Sequence, residues 1–422
     1  MDYDSMRHMQ GRSRSLGVTC TPYGQSDLRR RMKEKEEYEE QLRRQEELQR
    51  QQEYEALRRR DSKKNSKKNR RTFSSRTPKK GGKRSKLRII LTVLIILVLL
   101  AATSGIAVFA MGVSAVSKMQ DCDIDKNNLD INSTVASQLD GYRNIAVLGI
   151  DARDMSDDSD ARSDSIIIVS INEETDEMNL FSVYRDTMVD IDGNCTLDKI
   201  THAYMYGGAQ QTLQVLNRNL DLNIDEVVVV NWKSVKDAID AVGGVTVNVK
   251  DYEINELNTY IPNTAKHTDG DDTLVENIGK QKLNGTQAVT YARIRKGCGD
   301  DFERNDRMKV VFKQTFRKAK KAGIFTLLKI ANNVFPETRS NLSTADVLGL
   351  ALHLHKYKMD SSTTGFPYEK ADYSGSAYFL APKNLADNVS KLHEDFFGQK
   401  NYSPTDTVYN ISDNICYLTG IY

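Results

Sequence analysis

Aspartate residues at the ends of two predicted strands are the first side chains whose placement suggests chemistry. Asp151 directly follows the apolar run NIAVLGI, and Asp164 directly precedes the run SIIIVSI. If these runs are antiparallel neighbours, both carboxylates lie at one edge of a sheet. Two adjacent carboxylates repel unless a cation joins them, and a hard divalent ion such as Mg²⁺ prefers oxygen ligands of this kind. The alternative is that they pair with nearby Arg153 and Arg162, and the spacing alone favours neither.

Arginines form a second candidate cluster. Arg185 follows the strand-like run EMNLFSV, and the segment YARIRKGCGDDFERNDR supplies several more charged residues. The planar guanidinium fork binds phosphate oxygens in pairs, so arginines that converge on strand ends suit a diphosphate. The competing interpretation is a surface ion-pair network with neighbouring acids. The charged residues of that second segment are Arg293, Arg295, Asp301, Arg304 and Arg307.

Other catalytic patterns are weak. No two histidines are spaced i,i+4, and the chain has neither a GxSxG elbow nor a phosphate-binding Walker loop. Five cysteines occur without CxxC spacing, and four of them follow the apolar segment described below. Cys195 and Cys298 lie in loops after Arg185 and Arg295, so a disulfide between them, with Cys122 and Cys416 as a second pair, is as well supported as four reduced thiols.

Short β-branched runs and helical periodicity predict the elements that position these residues. The order of buried strands and flanking helices predicts a three-layer α/β/α sandwich with a mixed central sheet, and no internal repeat is evident. The expected strands are 144–150, 165–171, 177–183, 226–231 and 245–249, and the expected helices are 209–220, 233–242, 284–291, 304–322, 323–334 and 343–359.

One transmembrane helix is predicted before this domain. Residues 89–113 contain no charge and would reach about 37 Å as a helix, enough to cross a bilayer core of about 30 Å. Residues 1–88 hold 27 lysines and arginines against 13 acids, whereas the remainder holds 33 against 45. The positive-inside rule therefore puts the N-terminus in the cytoplasm and the rest of the chain outside.

Four segments follow from these boundaries: a basic, partly helical or disordered cytoplasmic segment 1–88, a transmembrane helix 89–113, an extracytoplasmic stem 114–140 and a catalytic domain 141–422. The basic run 57–88 has one aromatic residue and no recognisable fold. It is therefore interpreted as a topogenic signal in contact with anionic lipid, and specific nucleic-acid binding is not expected.

Seven motifs, in order, resemble the LytR-CpsA-Psr family. NIAVLGIDAR is similar to its first strand ending in GxDxR, ARSDSIIIVS to its second strand, and LFSVYRDT to its PRDT segment. KITHAYMYGG and IDAVGGVTVNV resemble the next two stretches. LNGTQAVTYARIRK and DFERNDRM resemble the last two. The resemblance covers roughly 140–334, with the predicted membrane topology in front of it.

The resemblance implies a function. Family members transfer a glycopolymer phosphate from a polyprenyl diphosphate carrier to peptidoglycan, at the cell membrane of a Gram-positive type envelope. By resemblance, Asp151 and Asp164 hold Mg²⁺. The diphosphate is bound by Arg185, Arg293, Arg295 and Arg304, with Asp301 orienting the cluster, and Arg153, Arg162 and Arg307 are further candidates.

Three departures from the family pattern concern the site. Tyr184 replaces the usual proline, which predicts a less rigid approach to Arg185; Met308 replaces a glutamine near the lipid head; and Cys298 lies between the arginine groups. Alternative functions remain open: a lipid diphosphate hydrolase, a membrane-bound transcriptional attenuator or a structural wall-binding protein.

Overall fold

The computed structural model describes residues 107–152, 155, 161–295, 297–298, 301–375 and 377–422. The expected cytoplasmic segment and residues 89–106 of the expected transmembrane helix lie outside this part of the chain. The described residues contain no helix that is both long and apolar enough to span a bilayer. Residues 107–116 form a helix.

The described part of the chain contains thirteen strands. In chain order they are β1 Gln120–Asp121, β2 Tyr142–Ile150, β3 Ser163–Asn172, β4 Glu177–Val183, β5 Met188–Asp190, β6 Leu197–Lys199, β7 Glu226–Val230, β8 Val245–Val249, β9 Gly279–Leu283, β10 Thr338–Ser340, β11 Lys358–Phe366, β12 Lys370–Ser374 and β13 Tyr378–Pro382. Seven of them form a mixed sheet at the centre of the domain, in the order β1-β10-β7-β2-β3-β4-β11. Strands β2, β3 and β4 are antiparallel neighbours, whereas β7 runs parallel to β2 and β11 runs parallel to β4. The remaining strands form three two-stranded sheets.

Helices cover both faces of this sheet. In chain order they are α1 Ser133–Gln138, α2 Thr201–Leu220, α3 Trp232–Ala241, α4 Asp251–Thr268, α5 Gly285–Arg293, α6 Asp301–Lys320, α7 Ile324–Val334, α8 Thr344–His353, α9 Leu385–Phe397 and α10 Asp406–Thr419. The main core joins α1, α2, α9 and α10 to one sheet face, whereas α6 and α8 pack on the other. Because side chains alternate along a strand, Leu148 and Ile168 point to the first face, and Val147 and Ile167 to the second.

A separate cluster of buried residues supports the second face. Ile239 of α3, Leu257 of α4 and Ala288 of α5 pack with Val247 of β8 and Leu283 of β9. Side-chain caps fix the starts of two of these helices: Asn231 caps α3 and Asn284 caps α5, each in a capping box. This cluster holds α3 and α5 beside the sheet, where they contribute to the site.

The mixed α/β fold with a mixed central sheet is confirmed, and the predicted strands and most of the helices appear within a few residues of their expected bounds. The expected helix 343–359 is wrong over its last six residues, 354–359. Helix α8 ends at His353, and the chain becomes β11, whose pairing with β4 extends the sheet. The expected stem also contributes to the domain, because Leu129, Val135 and Leu139 lie in the main core.

Neither proposed disulfide forms, so the interpretation as four thiols is the correct one. The two loops lie against different elements. The thiol of buried Cys298 donates to the carbonyl of Tyr252 at 3.4 Å, whereas Cys195 is exposed and its carbonyl accepts from Asn414 of α10. Cys195 and Cys298 each follow an arginine of the same candidate site in the sequence, but this does not bring the two cysteines together in the fold.

Candidate active site

The candidate catalytic residues are gathered because several strands end at one edge of the sheet. In the register of β2 and β3, Gly149 lies opposite Ser165, and in that of β3 and β4, Ile166 lies opposite Val183. The end of β2, the start of β3 and the end of β4 therefore meet. This topology places Asp151, Asp164 and Arg185 at the same edge, as the antiparallel arrangement predicted.

A cavity of about 470 Å³ begins at this edge and runs beneath the second face of the sheet. Its charged wall contains two acids and four arginines that the sequence had selected. The rest is largely apolar and comes from the sheet and from α3, α5 and α6. The charged residues are Asp151, Asp164, Arg185, Arg293, Arg295 and Arg304, and the apolar ones include Val147, Ile167, Trp232, Val289, Met308 and Phe312.

Arg185 is fixed by acids on both sides. Its Nη1 donates to Asp164 Oδ1 at 2.9 Å, and its Nε donates to Asp186 Oδ2 at 3.3 Å. The second oxygen of Asp186 pairs with Lys199 at 2.8 Å. These contacts hold the guanidinium plane at the cavity wall, and they tie it to one of the two predicted metal ligands.

Arg304 reaches the same place from helix α6. It is only 4% exposed, and its Nη2 donates to the backbone carbonyl of Asp164 at 3.1 Å. Asp301 is the first residue of this helix, and its side chain lies outside the described atoms. Two distant segments of the chain, β3 and α6, are thus joined directly at the site.

Arg293 reaches the cavity from the end of helix α5. Its guanidinium lies over the ring of Trp232, and Nη1 donates to Thr264 at 3.0 Å. Within the described part of the chain no carboxylate forms an ion pair with it. Burial lowers the pKa of Arg293 to about 10, against the opposing effect of Asp151 and Asp164. A half-buried guanidinium without its own acid is a site for an anion.

The other candidate arginines do not all belong to this wall. Arg307 is 4% exposed and is absent from the cavity lining; it pairs with Glu253 at 3.2 Å and donates to the carbonyls of Cys298 and Ile294. Arg162 is exposed, and its charge acts on Tyr206. Arg153 lies outside the described residues. Arg307 therefore braces the 294–298 segment, which carries Arg295.

Sequence reasoning missed Trp232 and Thr264 as partners of Arg293. The only tryptophan of the chain follows the strand EVVVVN directly, which is the signal that would have indicated it.

The approach to Arg185 is not loose, although the replacement of proline by Tyr184 had predicted a less rigid chain there. A Cβ atom added at Gly365 would lie 2.3 Å from the hydroxyl of Tyr184. The ring of Tyr184 packs edge-on against that of Phe302, with 4.9 Å between the ring centroids. Burial raises the pKa of Tyr184 to about 12, so the phenol remains neutral.

Comparison with known proteins agrees with this geometry. The LytR-CpsA-Psr family model matches residues 106–395, and the chain belongs to that family. The polyisoprenyl-teichoic acid–peptidoglycan teichoic acid transferase TagU of Bacillus subtilis is 28% identical over 306 residues, which are 68% of this chain and 92% of that protein. TagU of Enterococcus faecalis is 30% identical over 278 residues, covering 64% and 86% of the two chains.

A solved structure has the same fold. A protein of Streptococcus agalactiae superposes with a TM-score of 0.54 and 22% identity, covering 65% of this chain and 94% of that one. At this identity the likeness concerns the arrangement of helices and strands alone. The mixed sheet and its flanking helices are therefore shared with that protein.

The predicted metal ligands suit a magnesium ion that a substrate helps to bind. No group of three or more acidic, histidine or cysteine side chains with metal-binding geometry occurs among the described residues. Asp151 and Asp164 alone would leave most positions of an octahedral ion to water and phosphate oxygens. Mg²⁺ is commonly bound in this way, by one or two carboxylates and a substrate phosphate. The two carboxylates therefore fit Mg²⁺ if water and phosphate oxygens complete its coordination.

The ion pair between Arg307 and Glu253 generates a prediction about stability. Arg307→Ala should destabilise the domain by about 3–5 kcal/mol, because Glu253, 1% exposed, would be left as an uncompensated buried charge. Thermal melts measure the effect, and Arg317→Ala, exposed on the same helix, is the matched control. If Arg307→Ala melts normally but no longer binds the diphosphate, Arg307 contacts the ligand, as the sequence had predicted.

Proposed function

We propose that this protein is a membrane-anchored phosphotransferase that attaches a glycopolymer to peptidoglycan. The substrate would be a glycopolymer linked to a polyprenyl diphosphate, and the product a phosphodiester. One observation carries the proposal: Arg185, Arg293 and Arg304, from three separate elements, converge on one end of an apolar cavity. This combination suits an amphiphile with an anionic head. The named relatives, which are teichoic acid transferases, support teichoic acid or a similar anionic glycan as the polymer.

The geometry suggests how the chain would assist the reaction. A peptidoglycan hydroxyl would attack the glycan-side phosphorus, and the bond from that phosphorus to the bridging oxygen would break, releasing polyprenyl phosphate. Such a transfer needs positioning and charge neutralisation more than a covalent catalyst. Arg185 and Arg304 are already oriented by Asp164, so they would contact the phosphates with little reorganisation. Arg293 would gain the anionic partner that its described surroundings do not supply.

Asp151 and Asp164 would hold Mg²⁺ beside the same phosphates. When bound, the ion would neutralise charge on the diphosphate oxygens. The two carboxylates also act on the buried charge of Arg293, so acids and cations share one electrostatic site.

The arginines generate a prediction about rate. Arg185→Ala and Arg304→Ala should each slow single-turnover transfer by a factor on the order of 10²–10⁵, because transition-state charge loses a donor. Lysine at either position should restore only part of the rate, since it lacks the paired donors. The double variant should lose less than the product of the single losses, because both groups act on one charge centre.

The assay should use the full chain in vesicles, with Arg317→Ala as a control and melts alongside. Transfer at the parent rate by either single variant would assign that arginine to an ion-pair network. Phosphate release without any peptidoglycan acceptor would favour a lipid diphosphate hydrolase instead. If the parent protein shows no turnover, and the arginine variants bind peptidoglycan as well as the parent does, a structural wall-binding protein would be favoured.

The metal generates a second prediction. Asp151→Asn and Asp164→Asn should each weaken Mg²⁺ binding measured by titration calorimetry with magnesium chloride and a polyprenyl diphosphate, whereas the exposed Asp395→Asn should not. The reason is that loss of a carboxylate charge removes the protein's share of the coordination. Equal heats for Asp164→Asn and the parent would refute the assignment.

The membrane arrangement is also part of the proposal, with segment 1–88 in the cytoplasm, 89–113 across the membrane and the remaining chain outside. The uncharged run behind sixteen lysines and arginines in 57–88 supports it. Protease added to intact protoplasts should remove a tag at residue 422 and spare one at residue 1. The reverse pattern would contradict both the topology and a role in the wall.

A further inference from the structure

The transfer requires a group that accepts the proton of the attacking hydroxyl, and the described residues of the cavity wall offer only the carboxylates of Asp151 and Asp164. Asp164 is engaged with Arg185 at 2.9 Å, and both cavity carboxylates are assigned to the metal, where they are poor bases. A different cluster at the same edge of the sheet has the required chemistry. It consists of Asp198 at β6 with His202 and Tyr206 at the start of α2.

Asp198 organises this cluster. His202 Nδ1 lies 3.0 Å from each Asp198 oxygen, Tyr206 Oη donates to it at 2.8 Å, and the backbone N–H of Lys199 donates at 2.7 Å. Because the carboxylate only accepts, Nδ1 carries the proton and Nε2 holds the lone pair. In the described part of the chain nothing bonds Nε2, and the His202 side chain is 25% exposed.

Backbone contacts place His202 next to the proposed diphosphate site. The N–H of Thr201 donates to the carbonyl of Arg185 at 3.0 Å, and its hydroxyl donates to the carbonyl of Ser163 at 3.1 Å. Ser163 directly precedes Asp164. The first turn of α2 is thus anchored to the two segments that carry the arginine and the acid, and His202 is the next residue along it.

The two faces of the sheet determine the direction of attack. The apolar cavity lies under the face of Val147 and Ile167, whereas α2 packs on the opposite face against the main core. In an in-line transfer, the nucleophile and the leaving group lie on opposite sides of the phosphorus. If the polyprenyl phosphate leaves toward the cavity, the hydroxyl must approach from the side of α2.

We propose that His202, oriented by Asp198, is the general base of the transfer. Nε2 takes the proton from the acceptor hydroxyl as its oxygen bonds to the glycan-side phosphorus, and the electron pair of the broken bond leaves with polyprenyl phosphate. The imidazolium then releases the proton to solvent. This assignment rests on the proposed function and adds to it the residue that activates the acceptor.

The charged and titratable groups around His202 come from β6, from α2 and from the segment before β3. Asp198 on β6 stabilises the imidazolium. Arg162, before β3, acts electrostatically on Tyr206, whose pKa is raised by burial and by Asp198. The neutral phenol therefore continues to donate to Asp198. Lys199 is engaged with Asp186 at 2.8 Å. The imidazolium formed in the reaction thus has an acid at Nδ1.

The test compares full-length variants in vesicles at saturating acceptor. His202→Gln should slow single-turnover transfer by a factor on the order of 10²–10⁴, with an unchanged melt and unchanged binding of a polyprenyl diphosphate. The pH profile of the parent rate should also change in His202→Gln, because the variant lacks the proposed proton acceptor. Added imidazole should restore part of the rate of His202→Ala. Asp198→Asn should slow transfer less than His202→Gln, because the base itself remains while the ring loses its orienting acid and the imidazolium loses its compensating charge.

The matched control is His353→Gln, an exposed histidine bonded to its own helix. A parent-like rate and pH profile in His202→Gln would overturn the assignment while leaving the transferase function intact. A rate loss in His202→Ala that imidazole does not rescue, with the pH profile unchanged, would also overturn it, since that pattern belongs to a packing role. Absence of transfer in the parent would overturn the proposed function and this residue's role together.

Discussion

Positive charge concentrated at one edge of the sheet is the constraint on which the site depends. Four arginines line one cavity wall, and cations this close repel one another unless opposite charge lies between them. The described residues supply part of that opposite charge. Asp164 pairs with Arg185 through its side chain and accepts from Arg304 through its backbone. Arg293 rests on an aromatic ring and a hydroxyl, and burial lowers its pKa to about 10. Under the proposed function, the diphosphate head group would supply negative charge beside Arg293.

The topology of the sheet makes this concentration possible. An antiparallel trio brings the end of β2, the start of β3 and the end of β4 together, and the parallel strand β7 delivers Trp232 to the same edge. Alternation along the strands then separates two environments. Leu148 and Ile168 complete the main core, whereas Val147 and Ile167 form the floor of the cavity. One sheet therefore supplies both the stability of the domain and the apolar half of its site.

The sequence predicted the parts of this arrangement that depend on local pattern. Short β-branched runs located the strands, and the acids and arginines at their ends lie at one sheet edge. Helical spacing alone could not separate Arg304 from Arg307, which are three residues apart on one helix; only the family resemblance ranked Arg304 above Arg307. Their difference comes from distant partners, since Arg304 meets the carbonyl of Asp164 and Arg307 meets Glu253. Strand β11 was missed for the same reason, because its pairing with β4 joins segments far apart in the chain.

The apolar cavity and the arginines have different energetic roles. Burial of a hydrocarbon chain against Val147, Phe312 and Met308 would stabilise the bound substrate by about 25 cal/mol for each Å² of apolar surface removed from water. That contribution is the same before and during the reaction, so it holds the lipid without accelerating the chemistry. In the proposed reaction the arginines would act where charge is redistributed between the phosphates. With the lipid retained by its tail, they need not supply ground-state affinity, and their interaction with the head group can be strongest in the transition state. The division between an apolar floor and a cationic edge would therefore let the proposed site transfer a phosphate by positioning and charge neutralisation.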